Sequence, residues 1–362
     1  MFSKIIMKYT IIILSVVFLS HFSFAEGILE IDDTAIRLVW SATCPPDGVH
    51  AIGMNVFKNY MESHSNATVE IFTSGENLIN IVETDACIEG IIDITYFDSS
   101  FFEDELPFLE MLNSAFIFND YEHMKEVLNG EIGYELYNKI ADAYGVRPLG
   151  AFYLGARQLN LVESAGEIRT PLDMSSVRVS CRDDDFSIAI VKALGGIPVP
   201  YSDFSEIYTG LSYQRIDAQD NEILLYKRSR FHRLTKTIVL TNHVIRTVWP
   251  VINEEKWQSI SHQYQKIILE AIAASEEACY LYVQRQEQEA IDYFASIIFT
   301  IPTDTDETDE TDETTEPDVE SFIIVDDPDI KSFTEYSEAY YLSDPVAEDW
   351  DMELYHKIRA LR

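Results

Sequence analysis

Basic residues are scarce in this chain: 26 Lys and Arg stand against 62 Asp and Glu over 362 residues, a formal charge of −36 at pH 7. Such a field repels nucleic-acid phosphates and anionic lipid, so neither is expected as a partner. A salty habitat, where acidic surfaces are common, would give the same bias. Cysteine is scarce too. Cys44, Cys87, Cys181 and Cys279 are widely separated, with no C-x-x-C pair and no zinc spacing. In an oxidising compartment they can form no, one or two disulfides, or stay as buried thiols. No G-x-S-x-G elbow, H-E-x-x-H helix or glycine-rich phosphate loop is present. Those are the usual marks of hydrolase, zinc-protease and nucleotide chemistry, so an enzyme is the weaker reading and no cofactor or metal is expected. Beyond the first 25 residues no apolar run is long enough to span a membrane.

The start of the chain has what the rest lacks. Lys4 and Lys8 precede the apolar run Ile11 to Leu19, and Ser23-Phe24-Ala25 offers small residues where a signal peptidase reads. A basic start, a short apolar core and a small-x-Ala end make a cleaved secretory signal over residues 1–25. The run is short for a transmembrane anchor, and no Cys follows it to carry a lipid. Cleavage removes two lysines, taking the charge from −36 to −38. The 337 residues left suit two domains of about 150 each.

Periodicity predicts alternating strands and helices. Ile36 to Trp40 reads as a strand; Met54, Phe57 and Met61 recur at helical spacing; Thr68 to Phe72 and Gly90 to Tyr96 read as strands. Glu122 to Tyr144 is helical and leads into a strand over Arg147 to Tyr153. Val177 to Val179, a helix capped by Asp183 or Asp184 and closed by Gly195-Gly196, and a helix over Ser205 to Ser212 follow. Thr237 to Leu240 and Trp249 to Ile252 read as strands crossing back. From Ser261, a possible cap, apolar residues recur from Tyr264 towards Phe294, predicting a helix of some thirty residues that braces two lobes. The order implies α/β layers with largely parallel sheets. Thr303 to Glu320 differs in kind: ten acids, no bases and repeated Thr-Asp-Glu triplets predict a solvated, disordered spacer without calcium-loop spacing.

Two arginines stand out in a chain this acidic. Arg157 and Arg178 lie at predicted strand ends, where a rigid guanidinium can grip a carboxylate, although surface ion pairing is the commoner fate and is expected for Arg169, Arg182 and Arg215. Tyr96, Phe97, Tyr153, Tyr201, Phe204 and Trp249 can wall a cleft or pack in a core, and His50 can line a site or be solvated.

The order of segments resembles the substrate-binding proteins of tripartite ATP-independent periplasmic (TRAP) transporters, the dicarboxylate-binding DctP type. The likeness is carried by Pro45-Pro46-Asp47-Gly48-Val49-His50, Gly90-Ile91-Ile92-Asp93-Ile94, Phe116-Ile117-Phe118-Asn119-Asp120 and Gly155-Ala156-Arg157-Gln158-Leu159-Asn160. It continues through Thr170-Pro171-Leu172-Asp173-Met174, Ser176-Val177-Arg178-Val179, Gly195 to Pro200, Asp217-Ala218-Gln219-Asp220-Asn221 and Lys256 to Ser261. The resemblance implies a two-lobed α/β clamshell with hinge strands and a long bracing helix. Lobe I would be 26–153 with 247–286, and lobe II 154–246 with 287–362, including the acidic insertion 303–320. It implies capture of an organic acid outside the cytoplasm, in the periplasm, and delivery to the small and large TRAP membrane subunits for ion-driven uptake, with no lipid contact of its own. A receptor presenting its solute to a membrane sensor is the alternative. It also implies that Arg178 makes the main salt bridge to the ligand carboxylate, supported by Arg157 and Asn221. Three departures bear on ligand identity: Thr73-Ser74-Gly75-Glu76-Asn77-Leu78 after strand two, Ala218 and Asp220 in the D-G-Q-E-N segment, and Ser180-Cys181-Arg182-Asp183-Asp184 after the strand arginine.

Overall fold

The computed structural model describes residues 35–73, 82–300 and 319–361. The leader, the Glu76-Asn77-Leu78 departure and nearly all of the acidic run lie outside the described residues. The chain opens with β1 (Arg37–Ser41), α1 (Val49–His64), β2 (Thr68–Phe72), α2 (Glu83–Ile88) and β3 (Ile94–Phe97), with β1 parallel to both β2 and β3. The stretch expected as one helix is two, α3 (Tyr121–Leu128) and α4 (Glu131–Tyr144), broken at Asn129-Gly130. β4 (Val146–Pro148) and β5 (Phe152–Leu161) follow. Then come β6 (Arg178–Arg182), α5 (Asp185–Ala193), β7 (Ile197–Tyr201), α6 (Ser205–Ser212) and β8 (Ala218–Glu222), with β6 parallel to both β7 and β8. After α7 (Ile223–Arg228) and β9 (Thr237–Val239), β10 (Ile245–Asn253) returns, followed by α8 (Glu254–Ser259) and α9 (His262–Ala295). β11 (Ile298–Thr300), β12 (Val319–Ser321), β13 (Ile323–Val325), α10 (Ile330–Tyr341) and α11 (Met352–Ala360) close the chain.

The sheet order β2-β1-β3-β10-β5-β8-β6-β7 explains the two halves. Parallel strands stand at each end, and two long antiparallel strands, β5 and β10, join them. β10 pairs with β3 and β4 through Trp249–Asn253 and with β5 through Ile245–Val248. β5 then leaves β10 and pairs with β8 and β9 through Arg157–Leu161. The changeover has two soft points: a register shift between Arg246 and Thr247, and Gly155 at φ +119°, a backbone conformation that suits glycine.

The 34 residues of α9 extend about 51 Å at 1.5 Å per residue. The helix packs on α1 and β5 in one half and on α7 and β13 in the other. Its buried positions, among them Tyr264, Ile268, Ala271, Cys279, Val283 and Phe294, are the periodic ones. Ser261 occupies the N-cap but makes no capping bond, and its hydroxyl is buried without a partner among the described residues. Asp184 does cap α5, accepting from the Ser187 amide at 2.7 Å. The α1–α9 contact is close because Gly53 faces it. A Cβ there would lie 2.7 Å from the Tyr96 hydroxyl, 2.9 Å from Phe152 and 3.0 Å from Cys279. Gly53→Val is therefore expected to destabilise the protein by about 1–3 kcal/mol through overpacking, read as a lower urea midpoint with an unchanged slope.

The C-terminal arm was not legible in advance. The Ser337 hydroxyl donates to the Ala193 carbonyl on α5 at 2.8 Å, and the Tyr341 hydroxyl accepts from the Ala115 amide at 3.1 Å. Arg359 donates to the Phe116 carbonyl at 2.6 Å and to Asn119 at 3.1 Å, while His123 donates to the Ile358 carbonyl at 3.0 Å. The arm thus touches both halves. All four cysteines are free thiols, three of them buried. No helix among the described residues is long and apolar enough to cross a membrane.

Candidate functional site

Parallel strands present their C-terminal ends, and the loops after them, as the natural ligand edge of an α/β sheet. Here that edge is made by β6, β7 and β8. A cavity lined by Arg182, Asp183, Asp184, Tyr201, Ser202 and Phe204 lies at the ends of β6 and β7. Of the six aromatics considered from sequence, only Tyr201 and Phe204 line it. Phe97 and Trp249 are fully buried, Tyr96 donates to the His50 carbonyl at 2.9 Å, and Tyr153 donates to Glu287 at 3.0 Å. His50 packs edge-on against Tyr96 with ring centres 4.8 Å apart.

Arg157 and Asn221 stand near this edge on the neighbouring strands β5 and β8, on alternate faces of the sheet. Arg157 on β5 lies opposite Glu222 on β8, beside Asn221. The Arg157 Nη2 donates to the Asp220 carbonyl at 3.0 Å and to its carboxylate. Its Nε is buried without a partner among the described residues, and its side chain is 23% exposed. The Asn221 amide donates to Gln219 Oε1.

Arg178 does not join them. It opens β6, level with Asp217, and grips that carboxylate in a two-pronged pair with Nε–Oδ2 at 2.8 Å and Nη2–Oδ1 at 2.6 Å. The pairs Val179–Ala218 and Ser180–Gln219, extended along the parallel strands, set Arg182 level with Asn221. Arg178 is four residues further down, about 13 Å at 3.3 Å per residue. Strand register thus sets Arg178 apart from Asn221, with its guanidinium on Asp217. Arg182, expected as a surface ion pair, ends β6 level with Asn221. Its side chain is 74% exposed and meets Asp184 through one 3.1 Å contact.

Behind Arg157 lies a buried charged chain. Asp220 Oδ2 accepts from His243 Nε2 at 3.0 Å, and His243 Nδ1 accepts from the Thr241 hydroxyl at 2.7 Å. Burial holds His243 below the usual imidazole range, which keeps it neutral with its proton on Nε2. Burial acts to raise the Asp220 carboxyl, but Arg157 and His243 together hold it below the usual range. Asp220 therefore stays ionised and fixes the Arg157 guanidinium in place.

Carboxylates from the other half face the same region. Arg246 on β10 bridges Glu222 at 3.3 Å and Asp98, just after β3, at 3.1 Å. Burial and the neighbouring Glu110 push Glu103 up to about 7, and the Arg182 charge opposes that shift. Glu287 on α9 sits under the changeover, accepting from Tyr153 at 3.0 Å and from the Ala156 amide at 3.2 Å. His243 and Glu287 were missed in the sequence because nothing local marks them, and Asp220 was marked only as a departure in the D-G-Q-E-N segment. Arg182 was findable, since it ends the strand two registers beyond Ser180.

Residues 41–324 match the family model described as bacterial extracellular solute-binding protein, family 7. One curated relative is the 2,3-diketo-L-gulonate-binding periplasmic protein YiaO of Escherichia coli, 27% identical over 217 residues, which are 60% of this chain and 65% of that protein. The chain thus spans just under two thirds of that relative's length. A TRAP periplasmic solute-binding protein from Ochrobactrum anthropi superposes with a TM-score of 0.73 at 16% identity, covering 91% of this chain and 95% of its own. A second, from Roseobacter denitrificans, holds 3-deoxy-D-manno-oct-2-ulosonic acid and superposes with a TM-score of 0.67 at 21% identity, covering 91% of this chain and all of its own. At these identities the structures establish the fold, a two-lobed α/β binding-protein architecture. The match over most of its length places the chain in the bacterial extracellular solute-binding proteins, family 7, a family of binding proteins rather than enzymes.

Proposed function

We propose that this protein captures an organic acid outside the cytoplasm and hands it to the small and large membrane subunits of a TRAP transporter for ion-driven uptake. One observation carries the reading. In a chain of net charge −36, Arg157, Asn221 and the exposed Arg182 stand at or near the C-terminal edge of β6 and β8. Arg157 brings a guanidinium already oriented by Asp220, and Asn221 adds a neutral amide donor. Two donors of fixed direction are what a carboxylate selects. The lobes divide where β5 and β10 change partners, near residues 153 and 246, with the C-terminal arm laid across both. The cleft closes about that changeover, the solute favours the closed form, and closure strengthens each contact by excluding water. Residues 1–25 direct export to the periplasm and are removed.

A thermal-shift screen of monocarboxylates, dicarboxylates, keto acids and sugar acids tests this. At ~100 times its dissociation constant a true ligand adds about 2.7 kcal/mol of stability. With that ligand, Arg182→Ala is expected to weaken binding at least ~10-fold, the scale of one charged contact at ~1.4 kcal/mol. Arg178→Ala is expected to leave it within a factor of ~3, under ~0.7 kcal/mol on the same scale. No stabilising acid in the screen would defeat the reading. The reverse ranking of the two arginines would defeat the register assignment while leaving the function in place. Loss of uptake of the same acid in a strain lacking the gene checks transport.

A further inference from the structure

Acid is missing from one part of this acidic chain. Residues 223–253 hold six Lys and Arg and no Asp or Glu. They form α7, the turn after it, β9 and β10. Elsewhere the fold ties its arginines down: Arg147 to Glu254, Arg157 to Asp220 and Arg178 to Asp217. Within the acid-free stretch, Arg246 meets Glu222 and Asp98, and Lys236 meets Glu163 at 2.8 Å. The Lys227 ammonium lies over the Tyr293 ring, 4.6 Å from its centre. Arg228, Arg230 and Arg233 are exposed and make no ion pair among the described residues. These three share one turn. Arg230 sits at φ +59°, a left-handed conformation that a side chain resists, and the Arg233 amide donates to its carbonyl at 3.1 Å. His232 lies among them. Burial first, then the charges of Arg233, Arg230 and Lys227, hold it below the usual imidazole range.

Aromatic rings adjoin the cations. Phe231, between Arg230 and His232, is 1% exposed. Phe204, just before α6, and Tyr208, on it, pack against Phe231 with ring centres 5.7 and 6.4 Å away, and each is 39% exposed. Arginine and large aromatics are the side chains in which protein interfaces are enriched. Phe204 also lines the cavity at the ends of β6 and β7, so this face runs up to the candidate site.

We propose that this face docks on an acidic segment of the membrane subunits that receive the solute. The proposal rests on the transport reading above and adds the surface used and the charge of what it meets. Charge complementarity selects the partner: three guanidinium groups that pair with nothing among the described residues favour carboxylates. Reach selects its shape. At physiological salt exposed charges act over about 8 Å, so a narrow acidic segment meets the local positive patch alone. A flat anionic bilayer meets the negative remainder of the protein as well and is repelled. A second copy carries the same −36 and is repelled likewise.

The test uses the mature full-length protein and proteoliposomes of neutral lipid that hold both membrane subunits. It reads cosedimentation, and uptake of an acid found in the screen. The triple variant Arg228→Glu, Arg230→Glu, Arg233→Glu is compared with Lys266→Glu, Arg285→Glu, Lys331→Glu, an equal charge reversal at side chains at least 65% exposed. The arginine variant is expected to keep the wild-type solute affinity and to lose ~10-fold or more in docking and uptake, the lower end of electrostatic steering. The control variant stays near wild type. Should the triple variant not fold, Arg230→Gly suits the backbone there, removes one cation and is expected to weaken docking without destabilising the protein. Equal losses in both triple variants, or undiminished docking in a folded arginine variant, overturn the face and leave transport standing. So does wild-type binding to phosphatidylglycerol vesicles without subunits, or a dimer in solution that the arginine variant abolishes. Tighter docking once residues 303–318 are replaced by a Gly-Ser linker would make the chain's own acidic run the occupant and overturn the proposal too. Wild-type protein that binds solute but neither docks nor delivers it removes the transport reading and the face with it.

Discussion

Arg157→Ala is expected to abolish solute binding and to lower the unfolding free energy by about 3–5 kcal/mol, the cost of breaking a buried ion pair from one side. The size of the effect follows from what remains. The Asp220 side chain is 2% exposed, and without Arg157 it keeps only the His243 contact. A buried carboxylate with one neutral donor must protonate or draw in water, and either response is costly. The companion variant separates the two roles of the arginine. Arg157→Ala with Asp220→Asn removes the stranded charge, so part of the stability returns while binding does not. Urea unfolding and titration with a ligand from the screen read the two quantities independently. A stability loss under ~1 kcal/mol in Arg157→Ala would mean that the pair acts as an ordinary surface bridge.

Glu287→Gln is expected to stabilise the protein at pH 8 by up to about 3 kcal/mol and to change little at pH 5, taking 1.36 kcal/mol per pK unit. Burial, first, and the nearby Glu222 push the Glu287 carboxyl up to about 7, against the pull of the Ala156 amide and the Tyr153 hydroxyl. The sign runs with the raised value. Folded protein holds this proton more tightly than unfolded chain, so its contribution is complete below about 4.5, the ordinary carboxyl value, and is lost as pH rises through about 7. Gln keeps the acceptor for the Ala156 amide and carries no charge to desolvate. The difference between wild type and variant across pH 5 to 8 isolates this one group from the many other acids. A flat difference would mean that the carboxyl is hydrated and titrates normally.

Local patterns in the sequence were enough where burial is periodic. Met54, Phe57 and Met61 mark the α1 face, Thr68–Phe72 is the strand expected, and α6 spans the residues read for it. The two-lobed α/β plan was legible from element order. Site geometry was less so, for a definite reason. Arg178 and Arg182 lie on one strand and on one face, and only pairing with β8 reveals which is level with Asn221. A motif records spacing along one strand; register is a property of two. The length of β5 was hidden by Gly155 and by the polar run Arg157-Gln158, which reads as a loop until β8 and β10 cover it. His243 reaches Asp220 across 23 positions, and Glu287 reaches Ala156 across 131. No local pattern encodes either contact.

The last helices have a consequence for how the molecule is made. Phe333, Tyr341, Trp350, Tyr355 and Ile358 belong to the same apolar cluster as Leu109, Met124 and Val179. A nascent polypeptide still held in the ribosomal tunnel cannot place these side chains, so residues near 116 and 190 wait with apolar surface uncovered. The native packing of that cluster therefore needs residues 333–358 to be made and released from the tunnel first. Stop codons introduced after residue 325 should therefore yield aggregation-prone product rather than a smaller folded protein.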